Sequence, residues 1–215
     1  MKYLTKSNTV KDATALVSRS NTFHLPGTVG GQGHAFRSSK MASAWSVGVF
    51  FLLQFVLCNL QAPPQDCSSL PHLLVSFEQT TLTDCGTSGP KSLYTNLKNV
   101  KYEGAEAGHT YTLVMVDPDA PNHSASQAWL HWILSKVEGS DLQNGNIENG
   151  QLTVAYAPPT PPSGKHRYYF YLYEETQQKE LPGVDKRGKF NLQQYADANQ
   201  LVGPVAMNMF VTSFD

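Results

Sequence analysis

The residues best equipped to do chemistry fall in three short segments of this 215-residue chain. The first is Asp117-Pro118-Asp119-Ala120-Pro121, which follows the β-prone run Tyr111 to Val116. Its two prolines fix backbone angles, so that two short carboxylates are held at a strand end instead of sampling solvent. A carboxylate held in this way can orient an imidazole or receive an ammonium group. Asp and Pro also build ordinary turns, and the segment alone reads as readily as one of those. The second is His131, set between Leu130 and Trp132. A lone histidine in an apolar strand is more often a satisfied core residue than a functional one. The third is Gly164-Lys165-His166-Arg167-Tyr168, which closes the stretch Pro158-Pro159-Thr160-Pro161-Pro162-Ser163. The prolines stiffen the backbone, and Gly164 permits a close approach or a positive φ. On its own, a proline-rich stretch ending in glycine is a rigid linker or a partner-docking motif.

Taken together, these groups suit an anion. Histidine N–H groups and a tyrosine hydroxyl donate to anionic oxygens, and two imidazoles would make such a site sensitive to pH near neutrality. Ser163 lies close to His166, but no Gly-x-Ser-x-Gly frame surrounds it, so no activated nucleophile is expected. Asp117 with His131 or His166 leaves open an acid–base pair for phosphoester hydrolysis, or a His/Asp metal set. The favoured reading is a binding protein that is not an enzyme and carries neither metal nor cofactor.

These groups need strands to hold them. Tyr111 to Val116, Trp129 to Val137, Gln151 to Tyr156 and His166 to Tyr173 are rich in β-branched and aromatic residues, and their spacing predicts antiparallel β architecture. Leu73 to Phe77 and Leu97 to Val100 predict shorter strands, and Phe190 to Tyr195 an amphipathic helix. Gly203 to Phe210 reads as a strand or as a terminal segment closing the sheet. With 40% hydrophobic and 15% charged residues the chain can form a core, and its net charge of −1 offers no basic field for nucleic acid.

The N-terminal part reads differently. Residues 1–40 are polar, rich in Ser, Thr and Gly, and lack a sustained period, which predicts a disordered extension. Met41 directly precedes an uncharged apolar run from Ala44 to Leu60, so translation from Met41 is an alternative to Met1. The run is interrupted by Gln54 and is shorter than the ~20 apolar residues a spanning helix needs. Residues 41–62 therefore read as a secretory signal, with cleavage near Cys58 to Ala62, and the protein as secreted or resident in the secretory lumen. A buried helix or an uncleaved anchor is the alternative. Of three cysteines, Cys58 lies inside that run, leaving Cys67 and Cys85 as an even pair in an oxidising compartment. They are expected to pair, the alternative being two free thiols; no spacing suggests zinc. Asn122-His123-Ser124 is a glycosylation sequon.

In order and spacing, the three segments resemble the phosphatidylethanolamine-binding protein family, also called the Raf kinase inhibitor protein family. Val114 to Pro121 is similar to its strand leading into Asp-Pro-Asp-x-Pro, and Trp129-Leu130-His131-Trp132 to its Trp-x-His-aromatic element, followed by Gly139 and Asp141. Tyr156 through Gly164-Lys165-His166-Arg167-Tyr168 is similar to its second signature. The resemblance implies a mainly β domain over residues 68–215, with a large antiparallel sheet packed with a smaller one plus peripheral helices. It also implies a pocket for a phosphate-type anion or phospholipid head group, formed by Asp117, Pro121, His131, Gly164, His166 and Tyr168. It allows peripheral membrane contact, a kinase or protease partner, and protease inhibition through an exposed loop. With the signal-like run and the cysteine pair, the chain looks closest to the family's secreted animal branch. Two departures stand out. Phe210 occupies a position where the family often places a pocket tyrosine, which implies one donor fewer, and Lys165 replaces an apolar residue, implying positive charge near the mouth.

Overall fold

The computed structural model describes residues 62–213. The polar extension, the start at Met41 and the signal-like run with Cys58 lie outside the described residues. In chain order the strands are β1 (Leu74–Phe77), β2 (Thr81–Leu82), β3 (Thr87–Ser88), β4 (Leu97–Lys101), β5 (Thr110–Asp117), β6 (Trp129–Glu138), β7 (Gln151–Val154), β8 (Lys165–Glu175) and β9 (Leu201–Ser213). Two α-helices, α1 (Gly139–Asn144) and α2 (Leu192–Ala198), complete the frame.

A three-stranded sheet ordered β2-β1-β4 packs on a six-stranded sheet ordered β3-β9-β8-β5-β6-β7. This is the larger-on-smaller arrangement that the family resemblance implies. All the pairings are antiparallel except that of β3, which runs parallel to β9. The large sheet is covered on both faces, which is why β5 reads as a nearly continuous apolar run and not as an alternating one. Along β8, Tyr168, Phe170 and Leu172 join the core shared with the small sheet, where they meet Val75, Phe77 and Phe210. Tyr169, Tyr171 and Tyr173 face the other way, into a second core with Phe190, Leu192 and Ala196. The period-2 alternation of a strand thus sends neighbouring aromatics into different cores.

Local chemistry sets the boundaries. The predicted strand from Gln151 to Tyr156 stops at Val154, ahead of the proline stretch. The helix expected over 190–195 runs from Leu192 to Ala198, because Asn191 is its N-cap and accepts from the Gln194 N–H at 3.0 Å. Gly203 to Phe210 belongs to the longest strand. The Cys67–Cys85 pair is disulfide-bonded. Gly139 opens α1 where a Cβ would meet the Glu106 carbonyl oxygen, so this close approach requires glycine.

Phe210 is fully buried, stacked on Tyr94 with ring centroids 3.8 Å apart and on Tyr168 at 5.0 Å. Replacing it with alanine should cost about 3–5 kcal/mol in urea unfolding, the usual range for a buried aromatic. A loss under about 1 kcal/mol would show that the stack does not hold the sheets together.

Candidate anion-binding site

Asp117 ends β5 and is 3% exposed. Both of its oxygens are engaged. Oδ1 accepts from the Asp119 N–H at 2.8 Å, and Oδ2 lies 2.7 Å from His166 Nδ1. Burial pushes the Asp117 carboxyl above the usual carboxylate range, and the His166 bond opposes that shift. The other ring nitrogen of His166 lies 3.1 Å from the Ser163 carbonyl oxygen. The pair therefore ties the end of β5 to the start of β8.

Two residues beyond Asp117 and one beyond His166, a second pair repeats the tie. Arg167 grips Asp119 through Nε at 2.8 Å and Nη2 at 2.7 Å, a bidentate fork, while its backbone N–H donates to the same carboxylate at 2.9 Å. Burial pushes Asp119 up, but these Arg167 bonds outweigh it and hold the carboxyl below its usual range. The Asp-Pro-Asp turn is thus fixed by His166-Arg167, carboxylate by carboxylate.

His131 reaches the site through a β-bulge. Met115 pairs with Trp132 and Val116 with Leu130, so His131 is the extra residue between them. The faces confirm the slip: Trp132 packs in one core and Leu130 in the other, although their spacing would place them on one face of a regular strand. His131 Nδ1 donates to the Ala157 carbonyl at 2.7 Å, which leaves Nε2 as an acceptor in the neutral ring and without a partner among the described residues. Burial lowers its pKa to about 4; the Ala157 bond opposes this, and the charges of Arg187 and His166 add to it. The expected switch near neutral pH is therefore corrected for this residue, since desolvation keeps His131 uncharged there.

A cavity of about 440 Å³ opens beside these groups, and Asp117, Pro121, His131 and Tyr168 all line it. The other two residues predicted for the site stand outside the wall. His166 sits behind Asp117. Gly164 is exposed in the preceding turn with φ 71°, and nothing lies within 4 Å of the place its Cβ would take, so its glycine character answers the backbone angle and not a close approach. Phe210 lies in the core between the sheets and not in the wall, and Lys165 is exposed away from it; the cation in the wall is Lys189.

Two buried polar atoms of the wall residues have no partner among the described residues, Tyr168 Oη and His123 Nδ1. Burial, reinforced by the Asp117 charge, raises the Tyr168 hydroxyl and keeps it a neutral donor. His123 Nε2 accepts from the Lys189 N–H at 2.9 Å, so in the neutral ring Nδ1 bears the hydrogen. His123 and Lys189 escaped sequence reasoning because His123 read only as the middle of a sequon, and Lys189 lies 66 residues beyond it. Arg187 was missed likewise. Its guanidinium binds the carbonyls of Leu130, His131 and Ala155 and so braces the bulge.

A second cavity, about 490 Å³, lies against α2 and is lined by residues such as Tyr169, Tyr171 and Phe190. Among the described residues, none of its lining side chains carries a buried polar atom left without a partner, in contrast to Tyr168 and His123 in the smaller cavity.

The family described as phosphatidylethanolamine-binding protein matches residues 75–210. Two tobacco (Nicotiana tabacum) relatives are similar: CEN-like protein 4, 30% identical over 55% of this chain and 67% of its own length, and CEN-like protein 1, 34% identical over 52% and 63%. The chain thus spans about two thirds of each relative. The fold is similar to that of a carboxypeptidase Y inhibitor solved with its cognate proteinase, with TM-score 0.56, 18% identity, and coverage of 82% of this chain and 98% of that one. It is also similar to a phosphatidylethanolamine-binding protein from Plasmodium vivax, with TM-score 0.54, 18% identity, and coverage of 77% and 96%. A family match across most of the chain, joined to this sheet order and to the placement of the Asp-Pro-Asp turn against His166-Arg167, identifies the chain as a member of the phosphatidylethanolamine-binding protein family.

Proposed function

We propose that the 440 Å³ cavity binds a phosphate-type anion, free or as a phospholipid head group, and that the domain acts by binding and not by turnover. One observation carries this reading: Tyr168 Oη and His131 Nε2, one donor and one acceptor, stand without partners among the described residues in the wall of one cavity. A ligand matching them offers acceptor oxygens to Tyr168 and a proton to His131. Hydrogen phosphate does so, and so does phosphoethanolamine, whose ammonium is a further donor. Lys189 adds attraction for the anion. Hydrolysis fits less well, because both Asp117 oxygens and both His166 nitrogens are already engaged, leaving no free acid–base pair. The Cys67–Cys85 disulfide supports secretion into an oxidising compartment. A kinase or protease partner would meet the loops around this mouth.

Calorimetric titration with phosphoethanolamine tests the assignment. Tyr168→Phe should weaken binding about tenfold, the value of a hydrogen bond to an anion, while leaving thermal stability unchanged or slightly raised, since the hydroxyl has no protein partner to lose. Unchanged binding would sink the site. Phosphate should bind about tenfold more tightly than sulfate, which brings no proton to the His131 acceptor at neutral pH; equal affinities would refute the acceptor role. Ring-nitrogen NMR should find His131 neutral at pH 6 and titrating near 4. The sign follows from linkage. A folded value below the ordinary 6.5 means that protonation favours the unfolded chain, so this contribution to stability is complete above about 6.5 and lost as pH falls toward 4. A midpoint at 6 or higher would contradict it.

A further inference from the structure

Asn122 sits in the turn between β5 and β6, exposed, and is itself part of the cavity wall, between Pro121 and His123. Its φ of 63° is a left-handed conformation that asparagine tolerates better than most residues. Its side-chain amide makes no hydrogen bond among the described residues, and Ser124, which completes the sequon, is exposed as well. The sequon is thus presented at the rim of the site and not at a remote surface.

We propose that Asn122 carries an N-linked glycan which gates this cavity, admitting soluble phosphate-type ligands and holding the mouth away from a bilayer. The inference rests on the cavity assignment above. In the modification, Asn122 Nδ2 bonds to the anomeric carbon of an oligosaccharide delivered as its lipid-linked pyrophosphate. The bond from that carbon to the pyrophosphate oxygen breaks, lipid pyrophosphate leaves, and the amide gives up one proton to it. The consequence is geometric. Trp129, 42% exposed, and Lys189 line the same cavity, and an exposed tryptophan beside a lysine is the pairing that would seat a protein on a lipid interface. A bulky hydrophilic glycan on the neighbouring rim residue keeps such a seat from lying flat on head groups, whereas a free anion of a few atoms passes beside it.

The test uses the full chain made in animal cells, as wild type and as Ser124→Ala, which abolishes the sequon while leaving the left-handed Asn122 in place; Asn122→Gln serves as a second control. Peptide-N-glycosidase should shift the mobility of the wild type and of neither variant. Cosedimentation with vesicles of equal parts phosphatidylethanolamine and phosphatidylcholine should rise about tenfold in Ser124→Ala, while calorimetric affinity for soluble phosphoethanolamine changes less than about twofold. Wild type that shows no mobility shift overturns the modification. Equal vesicle binding by glycosylated wild type and Ser124→Ala overturns the gate. If neither preparation binds soluble phosphoethanolamine, the cavity assignment fails and the gate with it, even where the mobility shift is present.

Discussion

A carboxylate taken almost wholly out of water must have both oxygens satisfied, and much of the site's construction can be traced to meeting that demand at Asp117. One partner is local, the amide two residues on, and it curls the chain into the Asp-Pro-Asp turn. The other is His166, 49 residues away, and it brings the start of β8 to the end of β5. Once these ends are joined, Arg167 falls opposite Asp119 and Tyr168 enters the cavity wall. Removing either member of such a buried pair leaves an uncompensated polar group, so the arrangement is held together as a unit.

His131 answers to a different constraint. The large sheet is dry on both faces, and a regular strand would place this imidazole in register with its neighbours. The bulge breaks that register by one residue, and the Ala157 carbonyl then selects which nitrogen is left for a ligand. Desolvation and the nearby Arg187 charge keep the ring neutral, so the cavity combines a fixed acceptor with fixed donors instead of relying on net positive charge. Under the proposed function, a ligand held there would be selected by hydrogen-bond pattern more than by charge.

The sheets were legible in the sequence to the extent that their strands are long and apolar: β5, β6 and β8 could be read directly, whereas two-residue strands such as β2 and β3 have no period to read. In the site, Asp117, Pro121, His131 and Tyr168 were legible by their order along the chain. Arg187 and Lys189 were not, because a loop with no local pattern brings them in from far along the sequence. Phe210 shows the opposite limit. Its position along β9 could be read, but whether its ring faces the cavity or the core depends on how the two sheets stack.

The outer edge of β9 bears on how this domain can meet other proteins. That edge is stitched by backbone bonds from Leu73 to Met207, from Met207 to Pro71, from Gly86 to Met209 and from Gly89 to Val211, all supplied by the segment that the Cys67–Cys85 bridge encloses or adjoins. At the opposite edge, β7 is only four residues long. A long run of unpaired amides is what an extended peptide or a second copy needs in order to add itself as a further strand, and little of it is on offer here. Recognition by β-augmentation is therefore discouraged along the Met207 to Val211 part of β9 and at the short β7 edge.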